Sequence, residues 1–396
     1  MKEFSAKSLC ILGRQPKLGL AELESLYGQE HVKPVPGAAL LDIVVGDINF
    51  KKLGGMLKVA QLLSTLPSVD WQSAYEYLAE NIPKHLQHVP SGTFTLGVSL
   101  YGLGVNLKKL NADLLSLKKI IRASGRSVRI VPNKYLELNS AQVLHNNLIK
   151  RGAWELLLVR DGQQTYLAQT FFVQDIEAYG ARDQARPKRD ARVGMLPPKL
   201  AQIILNLAVP KPPEKVRILD PFCGTGVILQ EALLMGYHVM GTDIEPRLVE
   251  YSKTNIQWLI DKYPQIEGQV VIEKADATNH QWPRFSTVAS EVFLGRPLAS
   301  LPAEDKLREI ISDANTITKK FLKNLSPQLR AGQRLALAVP AWRTKNGFKH
   351  LPVIDQLTDM GYNRVDFVHV KSDDLIYFRE DQIVTRRLLV LEKATR

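Results

Sequence analysis

Short apolar runs alternate with segments of helical spacing along the second half of the chain. Apolar runs of four to eight residues are typical of strands buried on both faces, and the segments between them fit amphipathic helices. Strands are predicted at 217–221, 238–244, 270–275, 288–293, 334–339, 364–371 and 384–392, and helices at 198–208, 227–235, 248–260, 306–323 and 350–360. This alternation predicts an α/β domain with a doubly wound, mostly parallel sheet of seven strands.

The first half of the chain has a mixed pattern. Residues 1–83 are predicted to form a small α+β unit, with strands at 8–12 and 40–45 and helices at 18–27, 50–66 and 71–81. Residues 84–182 are predicted to carry strands at 93–100 and 128–131, helices at 107–124 and 140–150, and a hairpin of 154–160 with 164–174. Ser140 is the expected N-cap, and Asp161-Gly162 the expected hairpin turn.

Length and charge narrow the class of protein. A chain of 396 residues suggests two or three domains. Lysine and arginine total 52 against 40 acidic residues, a net charge of +12, and a basic surface attracts polyanions such as nucleic acids. The two cysteines cannot form a disulfide framework or a zinc site, and we expect no metal. With no long apolar stretch in the sequence, we expect a cytoplasmic protein without a membrane segment.

The strongest chemical signal is the run Asp-Pro-Phe-Cys-Gly-Thr-Gly at 220–226, between a predicted strand and a predicted helix. Glycines in such a turn allow a sharp bend and a close approach to a ligand. The helix that begins near Val227 directs its positive end toward the turn, and Thr225 adds a hydroxyl donor. The spacing matches neither a dinucleotide fingerprint nor a phosphate-binding P-loop, which disfavours a nicotinamide-dependent oxidoreductase.

Acidic residues stand at the ends of the next two predicted strands. Asp243 comes 23 residues after Asp220, at the separation typical of a ribose-hydroxyl acceptor in nucleoside-binding folds. Asp276 ends the third strand and could receive an adenine amino group. A single aspartate at a strand end is usually a helix cap. The glycine-rich turn, the spacing and the strand together favour ligand binding.

The run at 220–226 resembles the cofactor motif of S-adenosylmethionine-dependent methyltransferases that act on exocyclic amino groups. The similarity is closest to tRNA guanine-N2 methyltransferases with a THUMP domain, of the archaeal and eukaryotic type that acts on guanosine ten. Arg-Pro-Lys-Arg at 186–189 and Gly-Met-Leu-Pro-Pro-Lys-Leu-Ala at 194–201 resemble the segment that joins the two domains of that family. The resemblance covers roughly residues 84–396.

The resemblance implies a domain plan and a cofactor, S-adenosylmethionine. A ferredoxin-like domain is expected at 1–83, a THUMP-like RNA-binding domain at 84–182, a basic linker at 183–194 and a Rossmann-like methyltransferase domain at 195–396. Asp220 and the backbone of two glycines would contact the methionine part, Asp243 the ribose and Asp276 the adenine. The cofactor-binding residues so implied are Asp220, Phe222, Gly224, Thr225, Gly226, Asp243, Ile244, Asp276, Ala277 and Pro198.

At the position of the family's catalytic motif, this chain departs from the family pattern. That motif, Asp/Asn/Ser-Pro-Pro-Tyr/Phe, holds the target amine through polar acceptors and stacks the base on the aromatic ring, so that positioning and electrostatics supply the rate. This chain has Ser290-Glu291-Val292-Phe293 at the end of the fourth predicted strand, without the proline pair. Our hypothesis is that Ser290 or Glu291 accepts from the amine and Phe293 stacks the base. Alternatively, Phe293 is a core aromatic and Glu291 a helix-start charge.

Basic residues cluster before the predicted catalytic domain. Mobile cations at spaced positions can contact a phosphate backbone, although a solvated linker would have the same composition. The candidate RNA-binding residues are Arg182, Arg186, Lys188, Arg189 and Arg192.

The sequence therefore predicts an RNA methyltransferase acting on guanine N2 in tRNA. Two alternatives remain: methylation of ribosomal RNA, and a non-catalytic RNA-binding relic of the family. The sequence leaves the target nucleotide, the number of methyl groups and the oligomeric state open.

Overall fold

The computed structural model describes residues 4–190, 195–210 and 215–395. Their strands are β1 (Ser8–Leu12), β2 (Val32–Val35), β3 (Ala38–Leu41), β4 (Met56–Leu66), β5 (Phe94–Tyr101), β6 (Val128–Ile130), β7 (Ala153–Asp161), β8 (Gln164–Val173), β9 (Arg217–Asp220), β10 (His238–Asp243), β11 (Val270–Lys274), β12 (Thr287–Glu291), β13 (Arg334–Thr344), β14 (Gly347–His350), β15 (Tyr362–Arg364), β16 (Ile376–Tyr377) and β17 (Val384–Lys393). The α-helices are α1 (Pro16–Tyr27), α2 (Trp71–His85), α3 (Leu107–Ala123), α4 (Ser140–His145), α5 (Ile176–Gln184), α6 (Pro198–Ala208), α7 (Val227–Leu234), α8 (Pro246–Lys262) and α9 (Glu304–Leu325).

The chain folds into two compact units. The first unit comprises residues 1–16, 30–51 and 56–178, and the second comprises 17–29, 52–55 and 179–396. The division differs from a simple cut along the sequence, because α1 and residues 52–55 belong to the second unit. No helix among the described residues is both long and apolar enough to cross a bilayer.

The first unit is built on one eight-stranded sheet, in the order β2-β3-β1-β4-β8-β7-β5-β6. Helices α2 and α3 bury apolar faces, including Trp71, Leu78, Leu110 and Leu117, in a core shared with β5 and β7. Strand β4 pairs with β8 over most of its length. The predicted parts 1–83 and 84–182 therefore contribute to a single sheet.

Local features of the first unit correct four predictions. The helix predicted at 50–66 is wrong, because β4 occupies Met56–Leu66 and pairs with β1 on one side and β8 on the other. The α-helix predicted at 140–150 ends at His145. Its N-cap is Asn139, which accepts from Gln142 N in a capping box. The hairpin turn starts one residue later than expected, because Asp161 still pairs with Gln164.

The second unit contains a nine-stranded sheet whose main path is β11-β10-β9-β12-β13-β17-β15. Neighbours from β11 to β13 pair in parallel, while β17 runs antiparallel to both β13 and β15. This path confirms the predicted seven-stranded, mostly parallel sheet. Two short strands that the sequence did not predict, β14 and β16, pair with β13 and β17.

Two predictions near the C-terminus are wrong. A strand is predicted at 364–371, but the observed strand β15 is Tyr362–Arg364 and ends where the predicted one begins. In place of the helix predicted at 350–360, the chain forms two 3-10 turns at Pro352–Gln356 and Thr358–Met360. Gly361, in the left-handed region at φ 80°, ends the second turn and leads directly into β15.

Helix α1 is anchored inside the second unit by Glu22. Its carboxylate accepts from Gly54 N and Gly55 N, each at 2.8 Å, and from Asn206 Nδ2 on α6 at 2.7 Å. Complete burial raises the pKa of Glu22 to about 7, although the three hydrogen bonds oppose this rise.

Candidate functional site

The turn at 220–226 connects the end of β9 to the start of α7, at the carboxyl edge of the parallel strands. Gly224 has φ 52° and Gly226 has φ 83°, so both occupy the left-handed region. A Cβ on Gly226 would lie 2.6 Å from Ser252 Oγ on α8. The backbone therefore requires glycine at position 226, both for its conformation and for the close approach of α8.

Asp243 binds this turn from the end of β10. Its Oδ2 accepts from Gly224 N at 3.0 Å and its Oδ1 from Glu245 N at 2.9 Å. Burial raises the pKa of Asp243, although these backbone donors oppose the rise. Each oxygen keeps a further lone pair, which suits hydroxyl donors such as those of a ribose. The neighbouring Ile244 is exposed and available for an apolar contact.

Asp220 begins the turn and is more deeply buried than Asp243. It accepts from Ser290 Oγ at 2.6 Å and from Phe222 N at 3.3 Å. Burial raises its pKa to about 7, and the nearby charges of Asp243 and Glu291 raise it further. Buried carboxyls of this kind fit a ligand that brings a cationic group.

The other predicted cofactor residues surround this turn or flank the next strand. The Phe222 ring packs edge-on against Phe321 at 5.0 Å, and Thr225 is buried. Asp276 Oδ1 accepts from Thr278 N at 2.9 Å in the turn after β11, beside the buried Ala277. Pro198 is buried as the first residue of α6. The contacts of these residues with a cofactor stay predictions.

The structure corrects part of the catalytic hypothesis. Ser290 is fully buried and its hydroxyl donates to Asp220, which does not fit a side chain that contacts a base. Phe293 is 42% exposed, which excludes the alternative that it is a core aromatic. Glu291 is the last residue of β12 and forms an ion pair with Arg386, so it is not a helix-start charge. Glu291 and Phe293 remain the candidates for contact with substrate.

The predicted RNA-binding cluster divides into two groups. Arg182 is 8% exposed and pairs with Glu231 at 2.7 Å, and Arg186 is 3% exposed. Because buried side chains cannot act as mobile cations, the RNA-binding prediction is wrong for these two residues. Lys188 and Arg189 are exposed, and their contact with RNA stays a prediction. Arg192 lies outside the described residues.

Two further polar residues of the site escaped sequence reasoning. Asn255 on α8 donates from Nδ2 to Thr225 O and to Lys188 O, each at 2.9 Å, which connects the turn to the linker. Arg386 is buried in β17. The sequence carries only a weak signal for each residue. Asn255 is a polar residue at an otherwise apolar position of its helix, and Arg386 is a charged residue within an apolar strand. Among the described residues, no group of three or more histidine, cysteine or acidic side chains is placed to hold a metal ion.

The whole chain is similar in fold to a solved structure. The crystal structure of TrmN from Thermus thermophilus superposes with a TM-score of 0.53 and 17% identity, over 98% of this chain and 100% of that one. The second unit thus shares the doubly wound, mostly parallel α/β fold class of that structure.

Within that class, residues 186–344 match the family described as RMKL-like, methyltransferase domain. The tRNA (guanine(10)-N2)-dimethyltransferase of Methanothermobacter thermautotrophicus is 49% identical over 77 residues, which are 19% of this chain and 22% of the relative. The enzyme of the same name from Methanocaldococcus jannaschii is 30% identical over 165 residues, covering 37% of this chain and 45% of the relative. The chain thus matches less than half the length of these curated relatives.

Proposed function

We propose that this protein transfers a methyl group from S-adenosylmethionine to the exocyclic N2 of a guanosine in tRNA. The observation that carries the proposal is the turn at 220–226, which Asp243 holds through Gly224 N inside the segment that matches the methyltransferase family. The names of the relatives support tRNA as the substrate. The excess of 12 positive charges is consistent with an RNA partner.

Each acid of the site has a role in this proposal. Asp220 attracts the ammonium group of the methionine part, and Asp243 accepts from the ribose hydroxyls. Asp276 would receive the adenine amino group. The bound cofactor would supply an electrophilic methyl group. The chain contributes binding and orientation, with Glu291 accepting a hydrogen of the target amine and Phe293 stacking on the base.

The domain plan and location belong to the same proposal. The first unit would hold the ferredoxin-like and THUMP-like modules and bind RNA, with Lys188 and Arg189 adding contacts to phosphates. The proposal includes a cytoplasmic location, which is consistent with a tRNA substrate.

A second function is supported by one observation. The sequence at 290–293 lacks the proline pair of the family, and Ser290 is buried against Asp220. A protein that binds RNA and the cofactor without transferring the methyl group would fit these facts. The two functions differ in whether label moves from cofactor to RNA.

The test is a transfer assay with labelled S-adenosylmethionine and unmodified tRNA, followed by nucleoside analysis. We expect N2-methylguanosine from the wild type. Gly226→Ala should weaken binding of S-adenosylhomocysteine by about tenfold or more, because the new Cβ collides with Ser252 in a left-handed backbone. Gly236→Ala is the matched control, since its φ of 88° carries similar backbone strain without any atom within 4 Å.

Each result has a defined meaning. Label on ribosomal RNA alone would keep the chemistry and change the substrate. Cofactor binding without label on either RNA would favour the non-catalytic function. Equal cofactor affinity in Gly226→Ala and Gly236→Ala would refute the assignment of the cofactor to this turn.

A further inference from the structure

Arg386 reaches the candidate site from β17, a strand that the sequence motifs do not include. Its Nε donates to Glu291 Oε1 at the end of β12. The side chains are 6% and 15% exposed, so the pair is shielded from most of the solvent. The Coulomb attraction within such a pair is stronger than at the surface, because less water screens the two charges.

The sheet register explains how Arg386 spans two strands. Glu291 lies opposite Ala338 on β13, and Arg386 lies opposite Pro340 on the same strand. Directly paired residues share a face of the sheet, as do residues two apart along one strand. Glu291 and Arg386 therefore share a face, and the short side chains of Ala338 and Pro340 leave room for the arginine to cross β13.

The next residue, Arg387, lies on the opposite face. It pairs with Val339 in the sheet register, and its guanidinium forms an ion pair with Asp373. Arg387 is as buried as Arg386 and carries the same charge. It thus provides a matched control that differs in the face of the sheet and in the acid that it contacts.

The geometry leaves one carboxylate oxygen of Glu291 available. Oε1 takes the hydrogen bond from Arg386, and within residues 4–190, 195–210 and 215–395 no hydrogen bond to Oε2 is found. An ionised carboxylate accepts hydrogen bonds but donates none. The free oxygen therefore suits an N–H group and not a carbonyl. The exposed Phe293, two residues further on, offers an apolar surface for the ring that carries such a group.

We propose that Arg386 is a positioning residue, which holds the Glu291 carboxylate as a fixed acceptor for a hydrogen of the target's exocyclic amine. The proposal rests on the proposed function and goes further, because it names the residue that orients the acceptor. It also assigns the selection of the substrate base to Arg386 and Glu291. A base without the amino group would leave the buried Glu291 carboxylate without a hydrogen-bond donor, which costs binding free energy.

The test measures base selection at equilibrium and requires no methyl transfer. Two short single-stranded RNAs differ only in a central guanosine or inosine, which lacks the exocyclic amino group. In the presence of S-adenosylhomocysteine, the wild type should bind the guanosine RNA about tenfold more tightly. Arg386→Met and Glu291→Gln should each bring this ratio close to one. Arg386→Lys should restore part of the preference, and Arg387→Met should keep it.

A second readout excludes a purely structural effect. Affinity for S-adenosylhomocysteine should change by less than about threefold in Arg386→Met, whereas kcat for methyl transfer should fall by about tenfold or more. The double variant should lose no more than either single variant, because both disrupt one interaction.

The inference and the proposed function fail in different ways. A wild type without preference for guanosine, or an unchanged preference in Arg386→Met, would overturn the inference even if methyl transfer occurs. A general loss of cofactor binding in Arg386→Met would also overturn it. Absence of methyl transfer with an intact guanosine preference would refute the proposed function alone.

Discussion

Asp220 is the single residue in which burial and chemistry are most closely connected. Its carboxyl is enclosed at the end of β9, where the hydroxyl of Ser290 and the backbone of Phe222 are its donors. Burial raises the pKa of Asp220 to about 7, whereas the ordinary value is near 3.8. The cofactor-free protein therefore tolerates the protonated form better than the carboxylate.

This shift makes stability depend on pH. A group whose pKa is raised by folding stabilises the protein below its unfolded pKa, near 4, and this contribution is lost as pH rises through about 7. Asp220→Asn should remove that dependence. Relative to wild type, the variant should gain on the order of 2–4 kcal/mol of unfolding free energy between pH 4 and 8.

Urea unfolding of the cofactor-free proteins at several pH values would measure the gain. Asp305→Asn, which removes one exposed carboxyl, is the control for net charge. A constant difference between Asp220→Asn and wild type across pH would contradict the shift.

At the scale of elements, β4 shows how tertiary pairing overrides a local pattern. Its leucines at 57, 62, 63 and 66 suit a helix, yet the segment pairs along both edges with β1 and β8. Lys58 within this strand is buried, donates to Leu138 O at 2.7 Å and pairs with Glu155 on β7. Glu155 also accepts from Ser99 and Thr170, each at 2.6 Å. A buried polar network therefore joins four strands of the first sheet.

Removing one partner of this network should be costly. Lys58→Met leaves the buried Glu155 without its counter-charge, and we expect a loss of about 3–5 kcal/mol in unfolding free energy. The double variant Lys58→Met, Glu155→Leu should recover part of the loss, because no uncompensated charge remains. Gln61→Ala, at an exposed position of the same strand, should change stability by less than about 0.5 kcal/mol. Denaturant unfolding checks all three, and equal effects for positions 58 and 61 would contradict the role of the network.

At the scale of the whole molecule, the second unit is discontinuous in sequence. Helix α1 and residues 52–55 belong to it, and Glu22 connects both to Asn206. Ser25 adds a bond to Asn206 O at 2.9 Å, and Glu24 accepts from Val368 N at 2.6 Å and His369 N at 3.0 Å. These contacts make α1 an integral part of the fold that carries the candidate site.

A fragment of residues 179–396 should therefore be unstable. Without residues 17–29 and 52–55 it lacks the donors and acceptors around Asn206, and apolar surface of α6 becomes exposed. We expect a broad, low-temperature unfolding transition and binding of a hydrophobic dye. In the full chain, Glu22→Gln should cause only a moderate loss, because Gln can still accept one of the bonds. Calorimetry provides the test, and a fragment that melts within about 3 °C of the full chain would contradict the prediction.

The sequence by itself determined the features that depend on neighbouring residues. Strands β9 to β12, helices α6 to α9 and the turn at 220–226 were predictable because apolar period, glycine and strand-end acid all act over a few residues. Asp243 was identifiable as a candidate from the glycine-rich turn, its spacing from Asp220 and its place at a strand end. These local signals were sufficient for the fold class and for most of the candidate cofactor site.

Only the tertiary structure decided how distant residues pair. The Glu291–Arg386 contact spans 95 residues, and Ser290 meets Asp220 across 70. The sequence could not distinguish an exposed arginine from the buried Arg182, because its partner Glu231 lies 49 residues away. The sequence shows which residues carry charge, but burial and partner depend on strand register and helix packing. Those are set by the free energy of the whole fold.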